Sequence, residues 1–231
     1  MRIVSLVPSL TLTLFDLGLD ATSIVGRTPW CIHPAEQVSD VPVVGGTKTP
    51  TLSKIKGAQP DLVVMDRDEN PKSVHDWCIA NGLPTFVCDV RHPRDVPLML
   101  RELGQAVNRS EAAEVHARAI EAMLRRAPDT NGRTALPLIW HRPLMAANGT
   151  TYAGNMLACL GFNVPNIEPD GTGYPEVSPE IILQHGVTDV FLSSEPHEFT
   201  DEESGSLSEA FGNLTATPVS YTHLTLPTNG T

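Results

Sequence analysis

The sequence predicts an α/β protein of two lobes joined by one long helix. Three observations carry this reading. Short apolar runs alternate with segments of helical period over residues 3–90, a nearly continuous helical pattern occupies residues 95–126, and the alternation resumes from Leu136.

In the first stretch, residues 3–7 form an apolar run that Pro8 ends, and Leu10, Leu14, Phe15 and Leu17 then recur at helical spacing up to Gly18. Residues 58–61 close a helix and feed a strand over 62–65. Pro71 opens a helix carrying Val74, Trp77, Cys78 and Ile79, which Asn81 and Gly82 end before a strand over 85–87. Such alternation implies right-handed crossovers and a mainly parallel sheet. In the middle, Leu98, Leu100, Leu103 and Val107 mark one helix, and Ala112, Val115, Ala119, Ala122 and Met123 mark the next. With Ser110 as N-cap, the segment 110–126 makes a rigid connector of about 25 Å at about 1.5 Å per residue. Past the turn-forming residues 129–132, residues 136–140 read as a strand that Pro137 confines to an early or edge position. A helix over 151–160 follows. Ser178, Pro179 and Glu180 supply a cap, an N1 proline and a first-turn acid for a helix that leads to a strand over 189–192. The expected division is therefore a first lobe over 1–108, a connecting helix over 109–128 and a second lobe over 129–218.

A chain of 231 residues with 41% hydrophobic content can bury a full core without staples. Its formal net charge of -11 argues against a nucleic-acid partner, because phosphate binding needs a clustered basic surface. Cys31, Cys78, Cys88 and Cys159 contain no CxxC pair and read as buried or half-buried free thiols. No run approaches the roughly 18 apolar residues of a membrane span, and Pro8 interrupts the start before a secretory h-region forms, so the chain as written reads as cytoplasmic. Dinucleotide, phosphate-loop and nucleophile-elbow motifs are absent, which argues for binding over catalysis, and Gly45-Gly46-Thr47-Lys48 lacks phosphate-loop spacing.

Several segments taken together resemble the ABC-transporter substrate-binding proteins for cobalamin and ferric siderophores, the helical-backbone metal receptors. They are residues 5–11 (SLVPSLT), 25–28 through His33-Pro34, 43–47 (VVGGT) and 59–63 (QPDLV) in the first lobe. In the second they are 148–152 (NGTTY) with 155–157, and 174–178 (YPEVS). The resemblance implies two Rossmann-like lobes that capture a cobalamin-like corrinoid or a ferric-siderophore chelate for ABC-type uptake, by a monomer with no resident cofactor. It places such proteins in the periplasm or at the cell surface and gives them a permease as partner. The alternatives are a cytoplasmic corrinoid or chelate binder outside any importer, and a direct zinc or manganese receptor drawing on Cys31, His33, His75 or His141.

The resemblance also assigns roles. Trp30 and Tyr174 correspond to aromatic residues that flank the ligand, one per lobe, and aromatic faces suit a broad, flat ligand. Thr47 lies in the VVGGT segment. Asp66, Glu69 and Asn70 follow a strand, where ligands of α/β sheets bind, and His141 and Arg142 hold the equivalent place after residues 136–140. The planar fork of Arg142 suits a carboxylate or phosphate. Relatives dock to the transporter through one glutamate per lobe; Glu180 fits the second-lobe position, whereas Ser53, followed by Lys54, stands at the first. From Val219 the residues read as translated sequencing-adapter read-through, so 219–231 carry no functional weight; members of the family continue past this point, so the resemblance implies a truncated, incomplete second lobe.

Overall fold

Ile3–Ser5 (β1) is an interior strand of the first sheet, and all three of its residues are buried. The computed structural model describes every residue except 127–129, 168–170, 172, 195, 213 and 220–231. β1 pairs in parallel with Ile24–Gly26 (β2) on one side and Leu62–Asp66 (β3) on the other, and β3 pairs in parallel with Thr85–Cys88 (β4). The order is β2-β1-β3-β4. Because side chains alternate across a strand, Ile3, Leu62 and Val64 enter one core while Val4, Val63 and Met65 enter the other. Both faces are covered, which is why these strands read as unbroken apolar runs.

The helices obey the signals seen in the sequence. Pro8–Asp16 (α1) begins with Pro8 at its first position and buries Leu10, Leu14 and Phe15; the N–H of Gly18, at φ +81°, donates to Phe15 O just past its end. Two short helices, Ala35–Val38 (α2) and Leu52–Gly57 (α3), precede β3, and Lys72–Ala80 (α4) follows it, burying Val74 and Cys78. A single 3₁₀ turn at Pro93–Asp95 leads into Val96–Ala106 (α5) and Ser110–Leu124 (α6).

The second sheet is built from Ala135–Trp140 (β5), Met145–Ala146 (β6), Asp189–Ser193 (β7) and Thr215–Val219 (β8), in the order β6-β5-β7-β8. β5, β7 and β8 are parallel, and only β6 runs antiparallel to its neighbour. Tyr152–Cys159 (α7), Pro179–Gln184 (α8) and Asp201–Phe211 (α9) complete this half. Its core gathers Leu136, Leu138, Ile182, Val190, Leu192 and Phe211. The chain divides into two compact units, Met1–Val90 with Pro97–Arg118 and Arg91–Val96 with Ala119–Thr231, so α6 begins in one and ends in the other.

Three features depart from the sequence reading. Pro137 does not lie in an edge strand: β5 is interior. The N and C=O of one strand residue point to the same side, and Pro137 O accepts from Ala147 N, so its missing donor faces the side where β6 contributes only two residues. Val219, the first residue of the suspected tail, is the last residue of β8, opposite Ser193; residues 220–231 lie outside the described residues. Lastly, α9 and β8 were not anticipated, since α9 buries only Leu207 and Phe211 and its remaining residues show no apolar period. All four cysteines are buried free thiols, and no helix among the described residues is long and apolar enough to cross a membrane.

Helices α5 and α6 are joined by a carboxylate held between two guanidinium groups. Arg101 Nε donates to Glu114 Oε2 at 2.6 Å and Arg118 Nε to Oε1 at 2.7 Å. The hydrogen bond from Arg101 first, then that from Arg118, holds the Glu114 carboxyl down at about 2 against an ordinary 4.5. A depressed folded-state value means that the stabilisation is complete above the unfolded value of 4.5 and is lost as pH falls toward about 2. Thermal melts across pH should therefore show Glu114→Gln with a lower Tm than the parent chain at pH 7 and a flatter decline between about 4.5 and 2, the two curves converging at the acid end.

Candidate functional site

In parallel sheets the loops at the carboxyl ends of the strands share one edge, and ligands of such folds bind there. In the first unit that edge carries the loop from β2 to α2, the turn after β3, and Asp89 after β4.

The β2 loop is pinned from beneath. Cys31 is 1% exposed; its Sγ lies 3.0 Å from Thr11 Oγ1 and 3.1 Å from Thr28 Oγ1, and Thr11 Oγ1 also lies 2.8 Å from Ser5 Oγ and 2.9 Å from Val7 O. This network gives Ser5 and Thr11 of the SLVPSLT segment a structural part: they line the socket that seats the loop. On either side of the buried thiol, Trp30 is 65% exposed and Ile32 also faces solvent. Water contact over so much of a tryptophan is unusual.

The turn after β3 is organised by Asn70, only 6% exposed. Its amide nitrogen donates to Thr47 O at 2.9 Å and Leu6 O at 3.3 Å, and its amide oxygen accepts from Asp66 N at 2.9 Å. One side chain thus ties the ends of β1 and β3 to the VVGGT loop, and Thr47 is held through its backbone. Asp66 Oδ1 accepts from the N–H groups of Asp68 and Glu69, which closes the turn and leaves the Glu69 side chain exposed. Arg67 pairs with Asp89 at 2.5 Å.

In the second unit, Asn148 plays a matching part. It is 1% exposed; its amide donates to Ile167 O at 3.0 Å while its oxygen accepts from the N–H and hydroxyl of Thr150. Thr151 caps α7 by accepting from Gly154 N, and a Cβ on Gly154 would lie 2.0 Å from Asn148 O, so the NGTTYAG segment is built for this close approach. Arg142 is exposed, and its backbone oxygen accepts from Trp140 Nε1. Tyr174 is 46% exposed, beside the backbone bridge between Met145 and Glu176. Glu180 is exposed in the first turn of α8, where the Ser178 hydroxyl first, and then its own backbone N–H, hold its carboxyl below the ordinary range. Ser53 is exposed on α3.

His141 follows β5 directly, and the segment after β7 brings His197 beside it. Glu203 joins both imidazoles: His141 Nδ1 lies 2.7 Å from Oε1 and His197 Nε2 lies 3.0 Å from Oε2. Trp140 and Phe199 wall the group, with ring centroids 5.5 and 5.0 Å from that of His197. Among the described residues this is the one trio of His, Cys, Asp or Glu side chains arranged to hold a metal ion. Cys31, His33 and His75 do not belong to it. Cys88 is equally unsuited to metal chemistry, since burial, and next the Asp66 carboxylate, push its thiol up to about 12. His197 and Glu203 escaped sequence reasoning, although Thr200-x-x-Glu203 is a legible capping box that fixes where α9 starts.

Residues 3–210 match the family described as periplasmic binding protein. The chain belongs to that family. Its relatives include a vitamin B12-binding protein of Pectobacterium carotovorum subsp. carotovorum, 22% identical over 88% of this chain and 75% of that protein. Among solved structures, the periplasmic heme-binding protein HutB of Vibrio cholerae superposes with a TM-score of 0.82 at 15% identity, covering 97% of this chain and 91% of its own. The periplasmic vitamin B12-binding protein BtuF of the same organism superposes with a TM-score of 0.75 at 16% identity, over 93% and 86%. At these identities the structures establish the fold: two α/β units with parallel sheets.

Replacing Asn70 by Ala strands the Leu6 and Thr47 carbonyls and the Asp66 N–H together. The expected cost is about 3 kcal/mol, read as a shift of the urea midpoint at unchanged m-value.

Proposed function

We propose that this periplasmic binding protein captures a broad, metal-centred organic ligand, a corrinoid or a ferric chelate such as heme or a siderophore complex, and delivers it to an ABC-type importer. The observation that carries the reading is Trp30: an indole held out in solvent, 65% exposed, by a loop whose next residue is locked in the core. A side chain of this size has about 150–250 Å² to bury, and a flat macrocycle is a partner able to cover that area in one contact. Tyr174 and Trp140 supply exposed aromatic surface in the second unit. Arg142 offers its guanidinium to the carboxylates or phosphate that such ligands carry. Asp66, Glu69, Asn70 and Thr47 shape the polar rim beside Trp30, with Asn70 acting through the backbone it positions.

Family membership and the names of the relatives support both halves of the proposal, since those names refer to vitamin B12 and heme and place several of the proteins in the periplasm. On this reading the chain works in the periplasm or at the cell surface, and its role is capture, not catalysis. Docking to the permease runs through Glu180, whose ionised carboxylate stands at the exposed start of α8.

Titration of the purified chain with cobalamin, hemin and a ferric siderophore, followed by tryptophan fluorescence, should give saturable quenching by one of them. Trp30→Ala should weaken that binding about tenfold or more, the usual cost of truncating a buried aromatic anchor. Parent-like affinity in the variant, or no response to any of the three ligands, would reject the proposed site. In a reconstituted importer, Glu180→Arg should lower ligand-stimulated ATP hydrolysis several-fold and leave ligand affinity unchanged, because a reversed rim charge acts on encounter with the partner.

A further inference from the structure

The capping box of α9 accounts for only part of what Glu203 does. Thr200 N donates to Oε2 at 2.9 Å and Glu203 N to Thr200 Oγ1 at 3.2 Å, which completes the box. The other carboxylate oxygen, Oε1, has no part in capping and faces His141 Nδ1 at 2.7 Å. Helix capping explains neither imidazole. His141 comes from the end of β5 and His197 from the segment after β7, and adjacent parallel strands bring them to one carboxylate at the ligand edge of the sheet. The three side chains are 15%, 26% and 22% exposed, sheltered yet open to an ion from solution.

We propose that His141, His197 and Glu203 form a binding site for one divalent transition-metal ion within the second unit. One atom from each of the three side chains lies within 4.8 Å of the others. Ligands bonded at about 2.0–2.2 Å in tetrahedral array stand roughly 3.3–3.5 Å apart, so closure around an ion needs displacements of about an ångström or less. The bond changes balance simply. The metal takes the place of the two N–H protons that now point at the carboxylate, and each neutral imidazole carries its proton on the opposite ring nitrogen. Two imidazoles and one carboxylate suit zinc, cobalt or nickel better than the hard oxygen-seeking ions, and they leave a fourth position for water or for a donor atom of an incoming ligand. Trp140 and Phe199 exclude water from the flank of the site, which strengthens the attraction between ion and carboxylate. Three carboxylates in the first turn of α9, from Asp201, Glu202 and Glu203, offset the positive end of that helix. The inference does not depend on which organic ligand the protein carries.

The experiment uses the full chain, stripped with chelator, and titrates it with zinc by calorimetry and with cobalt by visible absorption. The expected result is one saturable equivalent, with cobalt ligand-field bands and a raised Tm when zinc is present. His197→Ala and Glu203→Gln should each weaken zinc at least about tenfold and abolish the Tm increase, since even outer-shell partners of metal ligands are worth 10–100-fold. Glu203→Gln keeps an acceptor for Thr200 N–H, so its helix and far-ultraviolet dichroism should match the parent and separate metal loss from misfolding. His185→Ala removes an exposed histidine of the same unit and should change nothing. No saturable uptake by the parent, or parent-like affinity in both His197→Ala and Glu203→Gln, would overturn the site and leave adventitious surface binding as the explanation.

Discussion

Parallel pairing of short, fully buried strands is the constraint on which the rest of this structure depends. Each parallel neighbour must be reached by a crossover, so every strand in the first unit and β5 and β7 in the second ends at the same edge as its parallel partners. Helices then cover both faces of the first sheet, and the loops gather at the carboxyl edge, where ligands of such folds bind. The chemistry-bearing residues Trp30, Asn70, His141 and His197 follow strand ends, and Asp66 closes β3, for this reason.

A loop at such an edge is useful only if it holds still, and in both units buried polar groups do the holding. The Asn70 amide ties its own turn to Leu6 and Thr47, the Asn148 amide ties Thr150 to Ile167, and the Thr11, Thr28 and Cys31 side chains lock the β2 loop beneath Trp30. An unmet buried donor or acceptor costs about 1–3 kcal/mol, so these residues fix loop geometry far more firmly than surface contacts would. Exposed aromatic rings can then be presented without collapsing onto the core. The same logic operates at α9, where a capping box fixes the helix start and thereby delivers Glu203 to two imidazoles from different loops.

Binding and docking make different demands on these elements. On the proposed function, capture of a broad ligand would call for area and rigidity, and Trp30 above its buried socket combines the two. Docking, on the same proposed function, would call for charge at an exposed, well-defined point, such as the Ser178-Pro179-Glu180 helix start, and the Ser53 position in α3 offers no such charge. The NGTTY and SLVPSLT segments act as scaffold, because Asn148, Thr151, Ser5 and Thr11 place their side chains in hydrogen-bond networks beneath the loops.

Although β2 and α2 were too short to read, the sequence by itself determined the α/β class, the strands β1, β3 and β4 with the helices α1, α4, α5 and α6, the helix cap at Ser178, and the family to which the chain belongs. These are local matters of apolar period, cap chemistry and turn residues, and each is written within a few neighbouring positions. It did not place Pro137 in an interior strand, because whether a missing N–H matters depends on the length of the strand beside it. It also did not place α9 or β8, whose residues lack a clear apolar period. Only the tertiary structure revealed that Asn70 is a buried tie and that His141, His197 and Glu203 converge. Those facts depend on strands distant in sequence becoming neighbours in a sheet, and the separation along the chain carries no record of that distance in space.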